Sequence, residues 1–206
     1  MSLLERVAIA SRNHGKIREI LAICRDWPVT WVTAEGDPRE WPQVEETGAT
    51  YLENALLKAH AVAQALGLPA VADDSGIEVD ALGGAPGHRS ARFAGPEATD
   101  RENLQKLIEL IAPVPEAGRG ARYRCVAALV GPGGPELWAE GVCEGALVAE
   151  PRGEGGFGYD PIFVPAGLDR TMAEFEPEEK DRISHRGRAF RALRERMATS
   201  WPAPGA

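Results

Sequence analysis

The sequence predicts a mixed α/β fold with a partly antiparallel sheet, flanking helices and no separable domains. Three observations lead there. Strand-like and helix-like segments alternate through the first third of the chain, a hairpin-rich middle follows, and a helix closes it. The helical segments carry apolar residues at i, i+3, i+4 and i+7, while the strand segments are short and rich in Val, Ile and Ala. With 206 residues and 44% apolar content, the chain suffices for one large domain or two intimate lobes.

Val7 to Ser11 reads as a buried strand. A helix follows from about Gly15 to Cys24, capped by Asn13, with Ile17, Ile20, Leu21 and Cys24 on one face. Pro28 to Thr33 reads as a second strand, and the polar stretch Ala34 to Glu46 as a loop. Thr50 and Glu53 match a capping box. The helix they open carries Leu52, Leu56, Ala59, Ala63 and Leu66 as its stripe, and Gly67 with Pro69 stops it. Ala70 to Ala72 is then a short strand, Ser75-Gly76 a sharp turn, and Ile77 to Val79 resumes the apolar pattern. Thr99 and Glu102 form another capping box, before a helix with Leu104, Leu107, Ile108 and Ile111 inward. Arg122 to Val130 and Glu136 to Glu144 read as an antiparallel hairpin about Gly131 to Pro135, with Ala146 to Ala149 as a further strand. A last helix starts near Ser184 and turns Phe190, Leu193 and Met197 inward. Residues 1–200 are thus expected to form one domain and 201–206 a flexible tail.

The formal net charge of −8 argues against broad nucleic-acid binding, which needs a positive field. It leaves room for a small anionic substrate held by a local knot of Lys and Arg with a divalent metal. No apolar run approaches the length needed to cross a bilayer, so no membrane partner is expected. The three cysteines are widely spaced and form no C-x-x-C pair, which indicates neither a disulfide framework nor a zinc site. Buried free thiols in a reducing cytoplasm are the expectation.

Five segments combine glycines with charge. In A-V-A-D-D-S-G, two adjacent acids, Asp73 and Asp74, end an apolar strand. Neighbouring carboxylates repel, and a cation or a proton relieves them, which suggests a hard-metal site; alone, the run also reads as a solvated turn. Ser11-Arg12-Asn13-His14-Gly15-Lys16 joins a strand to a helix, where backbone N–H groups and Lys16 favour an anion. It is not a Walker loop, since Ile17 stands where Ser or Thr would follow the Lys, and an ordinary capped turn is the alternative. Glu45-Glu46-Thr47-Gly48 precedes a helix on which Lys58 points about 200° away from Leu56. That face is either solvated or lines a cleft, with Lys58 on a phosphate and Glu46 on a metal. Gly155 to Pro161 holds Phe157 among glycines, where a ring either stacks on a base or anchors a loop. Lys180 and Ser184-His185-Arg186-Gly187 place cations at a helix start, against the macrodipole, which suits donation to an acceptor-rich ligand or simply a hydrated helix end.

Together the blocks S-R-N-H-G-K, E-E-T-G-A-T-Y-L-E-N-A-L-L-K-A, A-D-D-S-G-I-E-V-D-A-L-G-G-A-P-G, G-G-F-G-Y-D-P-I-F and I-S-H-R-G-R-A resemble the inosine triphosphate pyrophosphatase family, in order and over nearly the whole chain. Ser11 stands where the family usually has Thr, Arg12 where a small residue is common, and His88-Arg89 precede the Ser-Ala-Arg block where other residues are common.

The resemblance implies two lobes around a central cleft, a Mg2+ ion, a homodimer, and hydrolysis of ITP, dITP or XTP to the monophosphate and pyrophosphate. It implies Asp74 as catalytic base with Lys58 beside it, and Glu46, Asp73 and Asp74 holding or orienting the metal. Ser11, Arg12, Asn13, His14, Gly15, Lys16, Lys58 and Ser75 would contact the triphosphate. Phe157, Gly158, Tyr159, Asp160, Lys180, His185 and Arg186 would form the nucleoside end. A Maf-type pyrophosphatase is the rival enzyme, and the S-H-R-G and F-G-Y-D-P blocks argue against it. A non-catalytic nucleotide-binding module is the rival of another class; it would not need Glu46, Asp73, Asp74 and Lys58 all kept.

Overall fold

The computed structural model describes residues 4–201. The elements are β1 (Arg6–Ile9), α1 (His14–Ile23), β2 (Thr30–Val32), α2 (Tyr51–Leu66), β3 (Ala70–Val79), α3 (Asp100–Ile111), β4 (Gly120–Val130), β5 (Glu136–Leu147), β6 (Phe163–Pro165), α4 (Pro177–Ile183) and α5 (His185–Ser200). The six strands form one mixed sheet in the order β2-β1-β3-β4-β5-β6. β1 runs parallel to β2, with Val7 opposite Trp31, and parallel to β3, with Ile9 opposite Val71. β5 and β6 pair antiparallel, with Ala146 opposite Val164. The mixed, partly antiparallel sheet is the expected one.

The helix caps follow the sequence with one change. Asn13 Oδ1 accepts from Lys16 N at 3.0 Å and starts α1. Thr99 and Glu102 complete a reciprocal box at α3. At α2 only half of the expected box forms: Thr50 Oγ1 accepts from Glu53 N, but the Glu53 carboxylate reaches one residue further back and accepts from Ala49 N at 2.6 Å. Gly67, at φ 60°, ends α2 in the left-handed conformation that glycine adopts without strain.

Two expectations about strands need correction. β3 is continuous through Asp73, Asp74, Ser75 and Gly76, so there is no turn at Ser75-Gly76. Gly76 serves close approach instead: a Cβ there would stand 2.1 Å from the Gly87 carbonyl oxygen and 2.6 Å from Ser90 Oγ. The reversal comes later, where Gly83 and Gly84 take positive φ. Ala146 is the end of β5 rather than part of a separate strand, because β5 runs on to Leu147. β6 and α4 were not anticipated. One is three residues long, and the other, P-E-E-K-D-R-I, has no apolar stripe and is set by Pro177 at its first turn and by a Glu176–Glu179 box.

The chain divides into two compact units. The first comprises the chain up to Asp74, Cys125–Gly141, and the segment from Arg186 onward. Its strands sort residues by the two-residue period of the pleat. Val7, Ile9, Val71, Cys125, Ala127 and Leu129 pack with Ile20 of α1 and Phe190, Leu193 and Met197 of α5. Ala8, Ala70, Ala72, Val126, Ala128 and Val130 pack with Ala55, Ala59, Val62 and Ala63 of α2. Small side chains on this second face let α2 lie close to the strands. Trp201, expected at the start of the tail, packs against the first cluster and donates its N–H to Met197 O at 3.1 Å; residues 202–206 lie outside the described residues.

The second unit comprises Ser75–Arg124 and Val142–His185. Its core gathers Ile77, Val79, Leu107, Ile111, Tyr123, Leu147, Ile162, Phe163 and Met172. Among the described residues no helix is long and apolar enough to cross a membrane.

Candidate active site

The pleat that sorts the core also sorts the two acids. Asp73 falls in register with Val71, on the side of α1 and α5, and Asp74 with Ala72, on the side of α2. Both are buried. Asp73 Oδ2 accepts from Arg186 Nε at 3.2 Å and Nη2 at 2.9 Å, and Lys16 Nζ lies 3.3 Å away. The thiol of Cys125 reaches the same oxygen at 3.8 Å. Burial alone would raise the Asp73 carboxyl, but Lys16, Arg186 and Lys58 outweigh it and hold it far below the usual carboxylate range. Asp73 is thus a fixed anion. Its Oδ1 is buried and makes no hydrogen bond.

Asp74 is held differently. Asn54 Nδ2 donates to Asp74 Oδ2 at 3.1 Å, while Asn54 Oδ1 accepts from Gly48 N at 2.8 Å, tying the acid to the segment that carries Glu46. Lys58 Nζ stands 3.5 Å from Asp74 Oδ1 and 2.7 Å from Glu46 Oε1. Burial raises the Asp74 carboxyl and outweighs the opposing pull of Lys58 and Lys16. Burial would depress Lys58, yet Asp74 and Glu46 more than offset it, so the amine stays charged. A carboxylate poised upward beside a fixed ammonium is the arrangement of a general base.

Glu46 and Asp74 converge on one cationic point, which shows that their oxygens can share a cation. Among the described residues no group of three or more His, Cys, Asp or Glu side chains is gathered to hold a metal. Asp73 Oδ2 is already matched by Arg186 and Lys16.

The strand-to-helix turn stands beside these acids through Lys16 alone. Ser11, Arg12 and His14 line an open pocket of about 370 Å³ with Glu35 and Trp41. Arg12 Nη2 donates to Trp41 O at 3.0 Å, and His14 Nδ1 pairs with Glu35 at 2.8 Å. Asn13 is engaged as the cap, and Gly15 lies in the first turn of α1. Ser75 is half-buried in β3, next to Asp74.

In the second unit, the F-G-Y-D block and Lys180 come together. Asp160 Oδ2 accepts from Phe157 N at 2.9 Å and from Lys180 Nζ at 2.5 Å, and Lys180 Nζ lies 5.1 Å from the centre of the Phe157 ring. Gly158 N donates to Asp100 at 3.2 Å, and Tyr159 OH donates to Ser90 O at 2.8 Å. His185 is buried and stacks on Tyr123. Arg186 belongs to the first unit, where its wholly buried guanidinium pairs with Asp73 and Glu19. A buried cation needs such partners.

Sequence reasoning assigned no role to Glu19 or Tyr123, read Cys125 only as a buried free thiol, and put Asn54 on the helix face of Lys58 without a partner. Glu19 is three residues past Lys16 and shares its helix face, and Asn54 is four before Lys58, so helical spacing was a usable signal for both. Tyr123 and Cys125 alternate with Arg122 and Arg124, which marks them as inward.

Residues 7–196 match the Ham1 family. The chain is 54% identical over 192 residues to a dITP/XTP pyrophosphatase of Streptomyces coelicolor, covering 92% of this chain and 96% of that protein. It is 46% identical over 192 residues to a dITP/XTP pyrophosphatase of Shigella flexneri, with 92% and 96% covered. Among solved structures, a HAM1 protein from Coxiella burnetii superposes with a TM-score of 0.84 at 41% identity, covering 96% of this chain and 100% of that one. A nucleoside-triphosphatase / dITP/XTP pyrophosphatase from Mycobacterium abscessus superposes with a TM-score of 0.72 at 45% identity, with 91% and 98% covered.

Proposed function

The chain belongs to the Ham1 family, and from that premise we propose that it hydrolyses ITP, dITP and XTP to the nucleoside monophosphate and pyrophosphate, removing deaminated purines from the nucleotide pool. The observation that carries the chemistry is the contrast between Asp73, fixed as an anion, and Asp74, raised and in reach of Lys58.

Asp74 takes a proton from water as the water oxygen bonds to the α-phosphorus. The bond from that phosphorus to the bridging oxygen breaks, and the electron pair leaves with pyrophosphate. Asp74 then returns its proton to solvent. Lys58 and Lys16 are the lysines beside the two acids and offset the charge that gathers on the phosphates. The donor set fits magnesium, which commonly takes one or two carboxylates together with phosphates and water. Glu46 and Asp74 would hold it, and when bound it would neutralise phosphate charge. Asp73 acts indirectly, by anchoring Lys16 and Arg186.

The nucleoside end is the second unit's group of Phe157, Gly158, Tyr159, Asp160, Lys180 and His185. Hypoxanthine and xanthine present an acceptor oxygen at position 6, where adenine presents a donor amine. Donors such as Lys180 and His185 would meet that amine with a clash of donors, a mismatch that discriminates strongly. A single catalytic domain with two intimate lobes, a homodimer and cytoplasmic residence complete the reading. Trp138 on β5, 38% exposed, is the surface apolar residue offered for the dimer, whereas Leu137 beside it packs against the first cluster.

The test is pyrophosphate release from ITP, XTP, dITP, ATP and GTP, with and without magnesium, beside Asp74→Asn. Magnesium-dependent cleavage of the first three, lost in the variant, is expected. Equal turnover of ATP and GTP would overturn the specificity, and a folded protein that binds ITP without cleaving any nucleotide would make it a binding module.

A further inference from the structure

The imidazole of His185 lies flat on the ring of Tyr123, with centroids 4.5 Å apart and planes 7° from parallel. Tyr123 in turn meets the edge of Phe163, at 4.8 Å and 63°. All three residues are buried, and Phe163 is wholly so. They come from different elements: Tyr123 from β4, Phe163 from β6, and His185 from the first turn of α5. β6 is pinned to β5 by the pairing of Leu147 with Phe163, so the column rests on the sheet rather than on a loop.

A histidine that recognises a base must present its ring nitrogens in a fixed plane, since a hydrogen bond to a ring acceptor weakens steeply with angle. The imidazole's terminal torsion is broad and does not fix that plane by itself. A parallel aromatic neighbour does, because tilting the ring loses the stack. We infer that Tyr123 is a positioning residue for substrate recognition: its ring, braced by Phe163, sets the plane in which His185 donates to the purine. The inference rests on the reading of His185 as a contact to the base.

The test compares Tyr123→Leu, which removes the ring, with Tyr123→Phe, which keeps it. Steady-state kinetics with ITP and dITP are read beside thermal melting and the proton–nitrogen spectrum of the histidine rings, His185 being assigned with His185→Gln. Tyr123→Leu is expected to raise the KM for ITP about tenfold with kcat within about twofold, and Tyr123→Phe to restore KM. The His185 ring protons are expected to be displaced upfield by the stack in the wild-type protein and in Tyr123→Phe, but not in Tyr123→Leu. The wild-type displacement is read without Tyr123→Leu having to fold. Wild-type KM in Tyr123→Leu, or no upfield displacement in the wild-type protein, would overturn the inference. Absence of wild-type hydrolysis, with the displacement present, would instead overturn the function and leave the stack standing.

Discussion

Asp73 and Asp74 are neighbours in the chain, yet Asp73 is drawn far below the usual carboxylate range by Lys16 and Arg186, while burial raises Asp74 from its ordinary value. Pairs of acids whose surroundings drive them apart divide their work. One is structural charge and the other is available to accept a proton. Alternation along β3 produces this division, because it sends consecutive side chains to different helices.

Substitution separates the two roles. Asp74→Asn removes the proton acceptor and is expected to lower kcat by about a hundredfold to ten-thousandfold, with a melting temperature at or above wild type, since a buried carboxylate at a cost is replaced by an amide. Asp73→Asn leaves Arg186 and Lys16 facing a neutral group and is expected to cost about 3–5 kcal/mol, as breaking a buried pair does. Denaturant unfolding beside single-turnover rates decides it. Equal stability loss in both variants would show that the acids share one role.

The same shifts set the pH behaviour. The Asp73 carboxyl is depressed on folding, so its contribution to stability is present above its unfolded value of 3.8 and is lost as pH falls below it. Asp74 is raised, so its contribution has the opposite sign: it is present below 3.8 and lost as pH climbs through the folded value. Acid unfolding is therefore expected to be steep below about pH 4 and flatter in Asp73→Asn. The rate is expected to rise with pH through a midpoint above 3.8, because Asp74 must be ionised to act. A melting series and a pH–rate profile on the same buffers measure both.

Gly76→Ala tests why β3 runs straight through its acids. The new methyl would meet the Gly87 carbonyl oxygen at 2.1 Å, a backbone atom that cannot rotate away. Ser90 accepts from Ile77 N at 2.9 Å and donates to Gly87 O at 2.7 Å, so the whole 87–90 turn would have to shift. Overpacking of this kind costs about 1–3 kcal/mol. A lowered denaturant midpoint is expected, and a wild-type midpoint would mean the turn yields freely.

That glycine also marks where sequence reading stopped. Small residues beside acids look like a turn, and only the partner strand and the 87–90 segment reveal a close approach instead. Local signals served well where they are local. The caps at Asn13, Thr50 and Thr99, the Gly67 stop, and the inward Phe190, Leu193 and Met197 were all legible. β6 and α4 were not, because three residues of strand carry no period and α4 is polar throughout. In the site, the motifs named Asp73, Asp74, Lys58 and Glu46, but not which acid each cation would serve. The resemblance puts Arg186 with His185 at the nucleoside end, but no motif announces the pairing of its buried guanidinium with Asp73 and Glu19.

Asn54 offers the most direct handle on Asp74 without altering the acid. Its amide donates to Asp74 Oδ2 and accepts from Gly48 N, and the residue is fully buried. Asn54→Asp keeps the shape and the acceptor to Gly48 but places a second carboxylate against Asp74. Like charges at such range disfavour ionising both. The pH–rate midpoint is therefore expected to move upward by about 1 unit or more, with the plateau rate at alkaline pH reduced less than the rate near neutrality. Asn54→Ala instead loses the donor and leaves Gly48 N unpaired, so it is expected to lower stability by about 1–3 kcal/mol and to shift the midpoint upward less. An unchanged midpoint in Asn54→Asp, measured on a folded variant, would mean that Asp74 is not the group whose ionisation the rate follows.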